Sequence, residues 1–177
     1  MTLVNKYYLY FILLTITSCG GVSYTFKSTD IPQNAKTIAI MQFYNESTGG
    51  PSNLSQLFTE KVRDYFQNNT KLTIVADPSD ADLILAGAIT NYEVNPDAPS
   101  ANGNGEQAAQ QRMIITVQAS YTNTISSDDK SNFSDQRFQS FALFDSEKNL
   151  SDVETAKIEE ISDLIVVQIF TKSFDNW

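Results

Sequence analysis

The sequence predicts an α+β domain in which two helices pack on one face of a mainly antiparallel, partly mixed sheet of four to five strands. Two observations support this class. Several segments are rich in β-branched and aromatic residues and end at polar turn signals, which is typical of strands. Two other segments carry apolar residues at three- and four-residue spacing, which is typical of helices. Their order along the chain is strand, helix, strands, helix.

The first element is a predicted buried strand over residues 36–45 (KTIAIMQFYN). Apolar residues occur on both of its faces, which indicates an internal position in the sheet. After the turn at residues 49–51, Ser52 is the predicted N-cap of a helix that ends at residues 68 and 69. The apolar face of that helix comprises Leu54, Leu57, Phe58, Val62, Tyr65 and Phe66.

The remaining strands follow the first helix. A short strand is predicted over residues 71–75 and a longer one over residues 83–94. Gly87 lies inside the longer strand and indicates a bulge or a close approach of another part of the backbone. Two more long strands, over residues 112–124 and 133–145, are joined by a short Asp-rich turn, so we expect an antiparallel hairpin.

The last element is a predicted helix whose first turn contains a capping box. The box runs from Ser151 to Glu154, with a hydroxyl first and a carboxylate three residues later. Acidic residues crowd the start of the helix, and Lys172 lies near its end, as the helix dipole favours. The predicted core stripe comprises Ile158, Ile161, Leu164, Ile165 and Ile169, widened by Val166, Val167 and Phe170.

Four large apolar side chains alternate out of register with the residues predicted to face the helices. They are Tyr92, Ile114, Phe138 and Phe144. Two interpretations remain open at this point. These residues either fill the ends and edges of a single core, or they lie on the second face of the sheet, where a partner or an apolar ligand covers them.

Residues 1–18 have the features of a bacterial export signal. A single cation, Lys6, precedes an uncharged apolar run at residues 7–17, and small residues follow. The run is much shorter than the ~20 residues that a helix needs to span a bilayer. We therefore expect a cleaved signal peptide rather than a transmembrane anchor.

The only cysteine of the chain, Cys19, directly follows this signal. Ile16-Thr17-Ser18-Cys19 resembles a lipobox, the cleavage site of bacterial lipoproteins. The resemblance implies that Cys19 is acylated through its sulfur and becomes the first mature residue. The alternative is an ordinary secretory signal with an incidental cysteine. We expect a lipidated tether over residues 19–35 and a single domain over residues 36–177.

The composition limits the chemistry that the chain can perform. It has no histidine, which excludes Ser-His and Cys-His catalysis and every imidazole metal site. It carries 12 Lys and Arg against 21 Asp and Glu, a net charge of −9, which is unfavourable for binding nucleic acid. We expect no enzymatic activity, no metal and no cofactor other than the covalent lipid on Cys19.

Taken together, these segments resemble the LptE family of lipopolysaccharide-assembly lipoproteins, in the form found in Bacteroidetes. The resemblance covers nearly the whole mature chain. It rests on the order and spacing of SCGGVSYTF, IPQNAKTIAIMQFYN, LSQLFTEKVRDYF, ILAGAITNYEVNP, RMIITVQASYTNT and the tail from FALFDSEKNLSDVETAKIEEISDLIVVQIF to NW. It implies a lipid-anchored protein at the periplasmic side of the outer membrane. The family implies two partners, lipopolysaccharide and the β-barrel protein LptD, whose lumen such a protein plugs.

The residues that bind these partners are a separate prediction. Residues 95–111 (NPDAPSANGNGEQAAQQ) contain no aliphatic side chain larger than alanine and are predicted to form a long loop. We place the binding surface on this loop and on the adjacent strand ends. Basic residues are sparse, and Arg112, at the mouth of the loop, is the first candidate; the alternative is a solvated charge at a strand end. The candidate binding residues are Tyr92, Asn95, Arg112, Lys130 and Arg137.

Two other functions remain open from the sequence. The first strand, the helix that follows it and DADLILAGAIT are similar to the first half of CsgG-like and TolB-N-like domains, which build secretion pores or complexes that span the envelope. A lipoprotein that binds a small ligand is the other alternative. The long hairpin and the C-terminal helix fit the LptE family better than either.

Overall fold

The computed structural model describes residues 32, 34–97, 109–126 and 130–174. The predicted signal peptide, Cys19, the tether up to residue 31 and residues 98–108 of the predicted loop lie outside this set. The elements in chain order are β1 (Thr37–Ile40), β2 (Tyr44–Asn45), α1 (Leu54–Asn69), β3 (Thr73–Val75), a 3-10 turn (Pro78–Asp80), β4 (Leu83–Asp97), β5 (Gln110–Asn123), β6 (Phe133–Asp145) and α2 (Leu150–Phe174).

The sheet has the strand order β3-β1-β4-β5-β6, with β2 also paired to β4. The pairings of β1 with β3, β1 with β4 and β2 with β4 are parallel, and β4, β5 and β6 are antiparallel. The α+β class, the mixed sheet and the hairpin are therefore confirmed, as is the internal position of the first strand. The sheet has six strands because the segment predicted as one strand over residues 36–45 forms two.

Both helices pack on the same face of the sheet, which we call the inner face. The inner face carries the side chains of Leu83, Leu85 and Ile89 on β4 and of every second residue of β5 from Met113 to Tyr121. These join buried residues of both helices in one apolar cluster. The helices also contact each other, with the rings of Tyr65 and Phe170 5.1 Å apart. One core therefore holds the sheet and both helices together.

The break between β1 and β2 has a local cause. The chain leaves the sheet at residues 41–43, and Phe43 is fully buried there, with its backbone N–H donating to Thr59 Oγ1 at 3.0 Å. Its ring occupies the space above Gly87, since a Cβ atom at Gly87 would lie 2.5 Å from Phe43 Cε1. A Cβ atom there would meet the backbone oxygen of Gln118 on β5 even more closely. The close approach of another part of the backbone predicted at Gly87 is thus confirmed, and the missing side chain also makes room for Phe43. The register of β4 then shifts between Ile89 and Asn91.

The predicted helix caps are wrong in detail. The N-cap of α1 is Asn53 rather than Ser52, and it makes no side-chain capping bond. Helix α2 begins at Leu150, so Ser151 lies inside its first turn and donates to Asp152 Oδ1 at 3.3 Å instead of capping. The carboxylate of Glu154 accepts a hydrogen bond from Tyr92 Oη. A tertiary contact therefore uses the group that the capping box assigned to the backbone.

The stripe predicted for α2 is largely confirmed, with two exceptions. Leu164 and Val167 are 48% and 42% exposed. The sheet and α1 cover one side of α2, and these two residues lie on the side that neither covers. The other residues of the predicted stripe are buried: Ile158, Ile161, Ile165, Val166, Ile169 and Phe170.

The predicted loop over residues 95–111 is shorter than expected, because both of its ends are strand. Asn95 lies opposite Arg112, and Asp97 lies opposite Gln110 in the β4–β5 ladder. The Arg112 guanidinium contacts Asp97 Oδ1 at 2.7 Å. This ion pair and the backbone ladder extend the hairpin through a polar sequence that carries no hydrophobic strand signal.

Candidate partner-binding face

The face of the sheet opposite the helices, which we call the outer face, carries most of the candidate site. Successive side chains of a strand point to opposite faces, so every second residue of β5 from Arg112 to Ser120 faces away from the helices. No helix in the described part of the chain covers this face. Its central side chains are Asn91, Glu93 and Asn95 on β4, Arg112, Ile114, Thr116, Gln118 and Ser120 on β5, and Arg137, Gln139 and Phe141 on β6.

Arg112 is held in place at one end of the outer face. Its guanidinium pairs with Asp97 and lies 4.4 Å from the centre of the Phe141 ring, a cation–π arrangement. Its Nε is buried and has no hydrogen-bond partner among the described residues, while the side chain as a whole is 38% exposed. The side chain is therefore fixed by one acid and one ring, and it retains donors that can bind another group.

Asn95 lies directly opposite Arg112 in the ladder and is exposed. Its Nδ2 donates to Glu93 Oε2 at 3.2 Å. Arg112, Asn95 and their two acidic neighbours thus form one polar cluster at the end of the β4–β5 hairpin. The cluster pairs charge with countercharge and exposes amide groups, so it can form hydrogen bonds without presenting a net positive patch.

Tyr92 lies on the inner face, apart from this cluster. Its hydroxyl donates to Glu154 Oε1 at 2.7 Å. Burial, together with the hydrogen bond and charge of Glu154, raises the pKa of Tyr92 above its ordinary value, so the phenol stays neutral. Gly49 and Gly50 pack against its ring, where a Cβ atom at Gly50 would come within 3.3 Å of Tyr92 Cγ. Tyr92 therefore joins β4, α2 and the glycine turn.

The other two candidates lie far from Arg112. Arg137 is exposed on the outer face, donates to Gln139 Oε1 at 2.7 Å and is opposite Gln118. Gln118 is six residues along β5 from Arg112, which corresponds to about 20 Å. Lys130 is exposed in the turn before β6. The structure thus brings Asn95 and Arg112 together and places Tyr92, Lys130 and Arg137 elsewhere.

Of the two interpretations of the four out-of-register apolar residues, the single core holds for three of them and the second face for one. Phe138 and Phe144 are buried in the core, and Tyr92 packs against it, so these three fill a single core. Ile114 lies on the outer face, opposite Phe141. Sequence reasoning missed Phe141, which is 46% exposed. The alternation in FSDQRFQSFALFD could have found it, because it places Arg137, Gln139 and Phe141 on one face and Phe138 and Phe144 on the other.

A polar cleft also lies between α1 and the start of the sheet. It is lined by Gln42, Gln56, Thr59, Glu60 and Arg63. Thr59 accepts from the Phe43 backbone, and Arg63 Nη2 donates to the Ile40 carbonyl at 3.1 Å. Both groups thus connect helix and sheet, which is a structural role.

Within the described ranges, no group of His, Cys, Asp and Glu side chains is placed to hold a metal ion. No described helix is both long and apolar enough to cross a membrane.

The geometry defines an α+β domain with one face closed by helices and one largely polar face that no described helix covers. The family model for lipopolysaccharide assembly, LptE, matches residues 35–173, so the chain belongs to the LptE family. The family resemblance identified in the sequence is thereby confirmed. The family consists of lipopolysaccharide-assembly lipoproteins and is not a family of enzymes.

Two solved structures show the same fold at low sequence identity, and a third is reported with them. A protein of Xanthomonas campestris is 11% identical, with a TM-score of 0.52, over 81% of this chain and 86% of its own. A protein of Helicobacter pylori described as a homolog of neuraminyllactose-binding hemagglutinin is 12% identical, with a TM-score of 0.51, over 84% and 88%. A minor lipoprotein of Acinetobacter baumannii is 13% identical, with a TM-score of 0.47, over 78% and 91%. No curated protein matches the sequence.

Proposed function

We propose that this protein is the lipid-anchored partner of an LptD-type β-barrel in the machine that inserts lipopolysaccharide into the outer leaflet of the outer membrane. The observation that carries the proposal is membership of the LptE family over residues 35–173. In this proposal the signal peptide is removed, Cys19 carries the lipid, and the domain sits at the periplasmic side of the outer membrane, inside the barrel lumen.

The outer face suits such a position. The interior of a transmembrane barrel is polar, so a protein inside it needs a polar surface of matching extent. The outer face offers amide groups on three adjacent long strands, among them Asn91, Gln118 and Gln139. These groups can donate and accept hydrogen bonds without burying charge. We propose that this face lies against the barrel wall.

The ion pair at the end of the hairpin favours a protein contact for Arg112 over a phosphate contact. Asp97, at 2.7 Å, already balances the guanidinium charge, and Glu93 lies on the same face. A phosphate at this position would meet two carboxylates as well as the cation, so the electrostatic gain is small. We therefore assign Arg112 and Asn95 to the contact with the barrel. Lys130 and Arg137 have no carboxylate partner among the described residues, and we propose these two residues for the contact with lipopolysaccharide.

The direct test is co-purification. The full chain with a C-terminal affinity tag is extracted from outer membranes in mild detergent, and the amount of co-purified barrel is measured by mass spectrometry. We expect an LptD-type barrel in stoichiometric amount. Cys19→Ser should yield an uncleaved or soluble protein without added acyl mass and with little barrel. A wild-type protein that is lipidated and folded but binds no barrel would contradict the proposal and favour the secretion-domain alternative.

The loop is tested in the same assay. Because Asp97 and Gln110 are directly paired, a short Gly-Ser linker in place of residues 98–109 can close the hairpin without disturbing the ladder. Loss of the barrel from this folded, lipidated variant would assign the loop to the interface. Normal binding would leave the outer face alone as the contact surface.

A further inference from the structure

Strand β6 forms one end of the sheet, and no described strand lies along its outer edge. The hydrogen bond from the Ser146 N–H to the Ala109 carbonyl fixes which residues of β6 pair with β5. In an antiparallel ladder, successive residues direct their backbone groups to opposite sides, so the even-numbered residues of β6 bond β5. Odd-numbered residues from Arg137 to Asp145 therefore direct their N–H and C=O groups away from the sheet.

This edge lacks the features by which natural sheet edges exclude further strands. Such edges are very short, or they carry charges, prolines or bulges. The opposite edge strand, β3, has only three residues. Strand β6 is longer, and its irregular part lies at its start, where Asp135 has a φ of 50° and the ladder register shifts. The seven residues from Phe138 to Phe144 contain no charge and no proline. This stretch is thus open to an added strand.

Helix α2 defines what an added strand would contact on the helix side of the edge. Gln168 Nε2 lies 3.5 Å from the Gln139 carbonyl. Leu164, one turn earlier on the same flank of α2, is 48% exposed. An added strand would cover Leu164 with every second side chain. The bond from Gln168 is long and weak, so another donor can replace it. The added strand should therefore be apolar toward α2 and polar on the outer face.

The position of the edge indicates where such a strand comes from. The outer face, which we assign to the barrel contact, ends at β6, and Gln139 is exposed there. A partner that covers the outer face therefore adjoins the edge. The strands of a closed barrel wall are fully paired with one another, so the wall itself has no free backbone groups to offer. The matching segment must belong to a part of the barrel protein outside its wall.

We propose that an extended segment of the barrel protein, lying within the lumen, adds to β6 as a further strand beside residues 138–144. The inference rests on the proposed function and deepens it, since it names how part of the barrel protein is bound. The outward backbone groups of Gln139 and Leu143 then bond the backbone of the added segment. In such strand addition, backbone bonds give affinity and the alternating side chains give selectivity.

Hydrogen exchange at single backbone amides tests the inference. It is measured on the full, lipidated chain in mild detergent, alone and in the co-purified complex. In the free chain, the amides of Ser140 and Ala142, which bond β5, should exchange slowly, and those of Gln139 and Leu143 should exchange fast. In the complex, the amides of Gln139 and Leu143 should slow at least about tenfold. A partner that touches only side chains produces no such difference between odd and even residues.

The outcomes separate this inference from the proposed function. If the complex contains the barrel and the amides of Gln139 and Leu143 still exchange fast, no strand is added, and the proposed function stands. If these amides are already slow in the free chain, the edge is covered without the barrel, which also overturns the inference. If no barrel co-purifies, the proposed function and the inference both fail.

A proline variant supplies a second readout. Leu143→Pro removes one outward N–H and leaves the bonds to β5 in place, and an edge strand tolerates proline at such a position. Leu143→Ala is the matched control, because it removes the side chain and keeps the N–H. Each variant is co-expressed with wild type, and its ratio to wild type in the purified barrel is measured by mass spectrometry. Leu143→Pro should be incorporated about tenfold less than Leu143→Ala, through the lost hydrogen bond. Equal incorporation of the two would overturn the inference.

Discussion

The helices bury a continuous apolar cluster on the inner face of the sheet, whereas the outer face carries mainly amide, hydroxyl and charged side chains. On β5, Ile115 and Val117 are fully buried on one side and Gln118 is exposed on the other. Thr116, on the outer face between them, is also buried, with its hydroxyl bonded to Gln139 Oε1. The same backbone thus supports two surfaces with separate roles. The inner face supplies the stability of the fold, and the outer face is the surface that we propose for partner binding.

This contrast predicts that substitutions on the two faces separate stability from binding. Inner-face variants should lower the free energy of unfolding, and outer-face variants should leave it nearly unchanged while reducing partner binding. The predictions below run from the largest expected effect on stability to the smallest.

The largest effect is expected in α2. Ile165 is fully buried, and Ile165→Asp would place an unpaired carboxylate in the apolar cluster. We expect a loss of more than about 4 kcal/mol, measured by urea denaturation, or failure to fold. The matched control is Leu164→Asp, one residue earlier but 48% exposed, which should cost far less. Equal losses at the two positions would show that the helix is oriented differently.

Gly87→Ala tests the packing of the inner face. Its missing side chain leaves room for the Phe43 ring on the inner side. We expect Gly87→Ala to destabilise the protein by about 1–3 kcal/mol through overpacking, and Ala88→Ser, at the next position, to have little effect. A thermal denaturation midpoint unchanged by Gly87→Ala would mean that the ring does not occupy this space.

Tyr92→Phe tests whether a polar contact on the inner face contributes to stability. The polar groups of the outer face are not expected to do so. Tyr92→Phe removes the donor to Glu154 and should cost about 1 kcal/mol. Tyr44→Phe is the control. Because Tyr44 is 63% exposed, this substitution should leave the free energy of unfolding nearly unchanged. Chemical denaturation of both variants gives the comparison. If Tyr92→Phe leaves the free energy of unfolding unchanged, the hydrogen bond between β4 and α2 does not contribute to stability.

The smallest effect is expected at Asp82, which lies on neither face. Its Oδ2 accepts the backbone N–H groups of Lys36 and Thr37 at 2.7 and 3.0 Å, and these bonds hold the pKa of Asp82 below its ordinary value. The stabilisation is present above the ordinary pKa of about 3.9 and is lost as the pH falls through the lowered value.

Asp82→Asn should therefore be less stable than wild type at neutral pH, and the difference in melting temperature should narrow in acid. Asp80→Asn, in the adjacent turn, is the control for the loss of a negative charge near the start of β4. A difference that widens as the pH falls would contradict the assigned role of the carboxylate.

The sequence predicted the elements that its own periodicity determines. Both helices and the β5–β6 hairpin are long, regular segments, and the family resemblance followed from their order. The features that were wrong depend on contacts distant in sequence. Glu154 bonds Tyr92 instead of capping α2, and Phe43 leaves the sheet to pack above Gly87. The local spacing of apolar and polar residues predicts neither contact.

The site was predictable to a smaller extent. Asn95 and Arg112 were both singled out at the mouth of the loop, and they lie opposite each other. Asp97 and Phe141, which fix the guanidinium, were missed because the cross-strand register that brings them to Arg112 depends on how far the hairpin extends. Tyr92 was assigned to the surface because the register shift at Ile89 moves it to the inner face.

The central claim, that the outer face and not the helical side contacts the barrel, is tested most directly by site-specific photocross-linking in cells. A photoreactive residue is placed in the full chain at Gln118 on the outer face or at Glu159 on the exposed side of α2. We expect Gln118 to yield a cross-link to a protein that peptide mass spectrometry identifies as the LptD-type barrel, and Glu159 to yield little. A barrel cross-link from Glu159 with none from Gln118 would contradict the account.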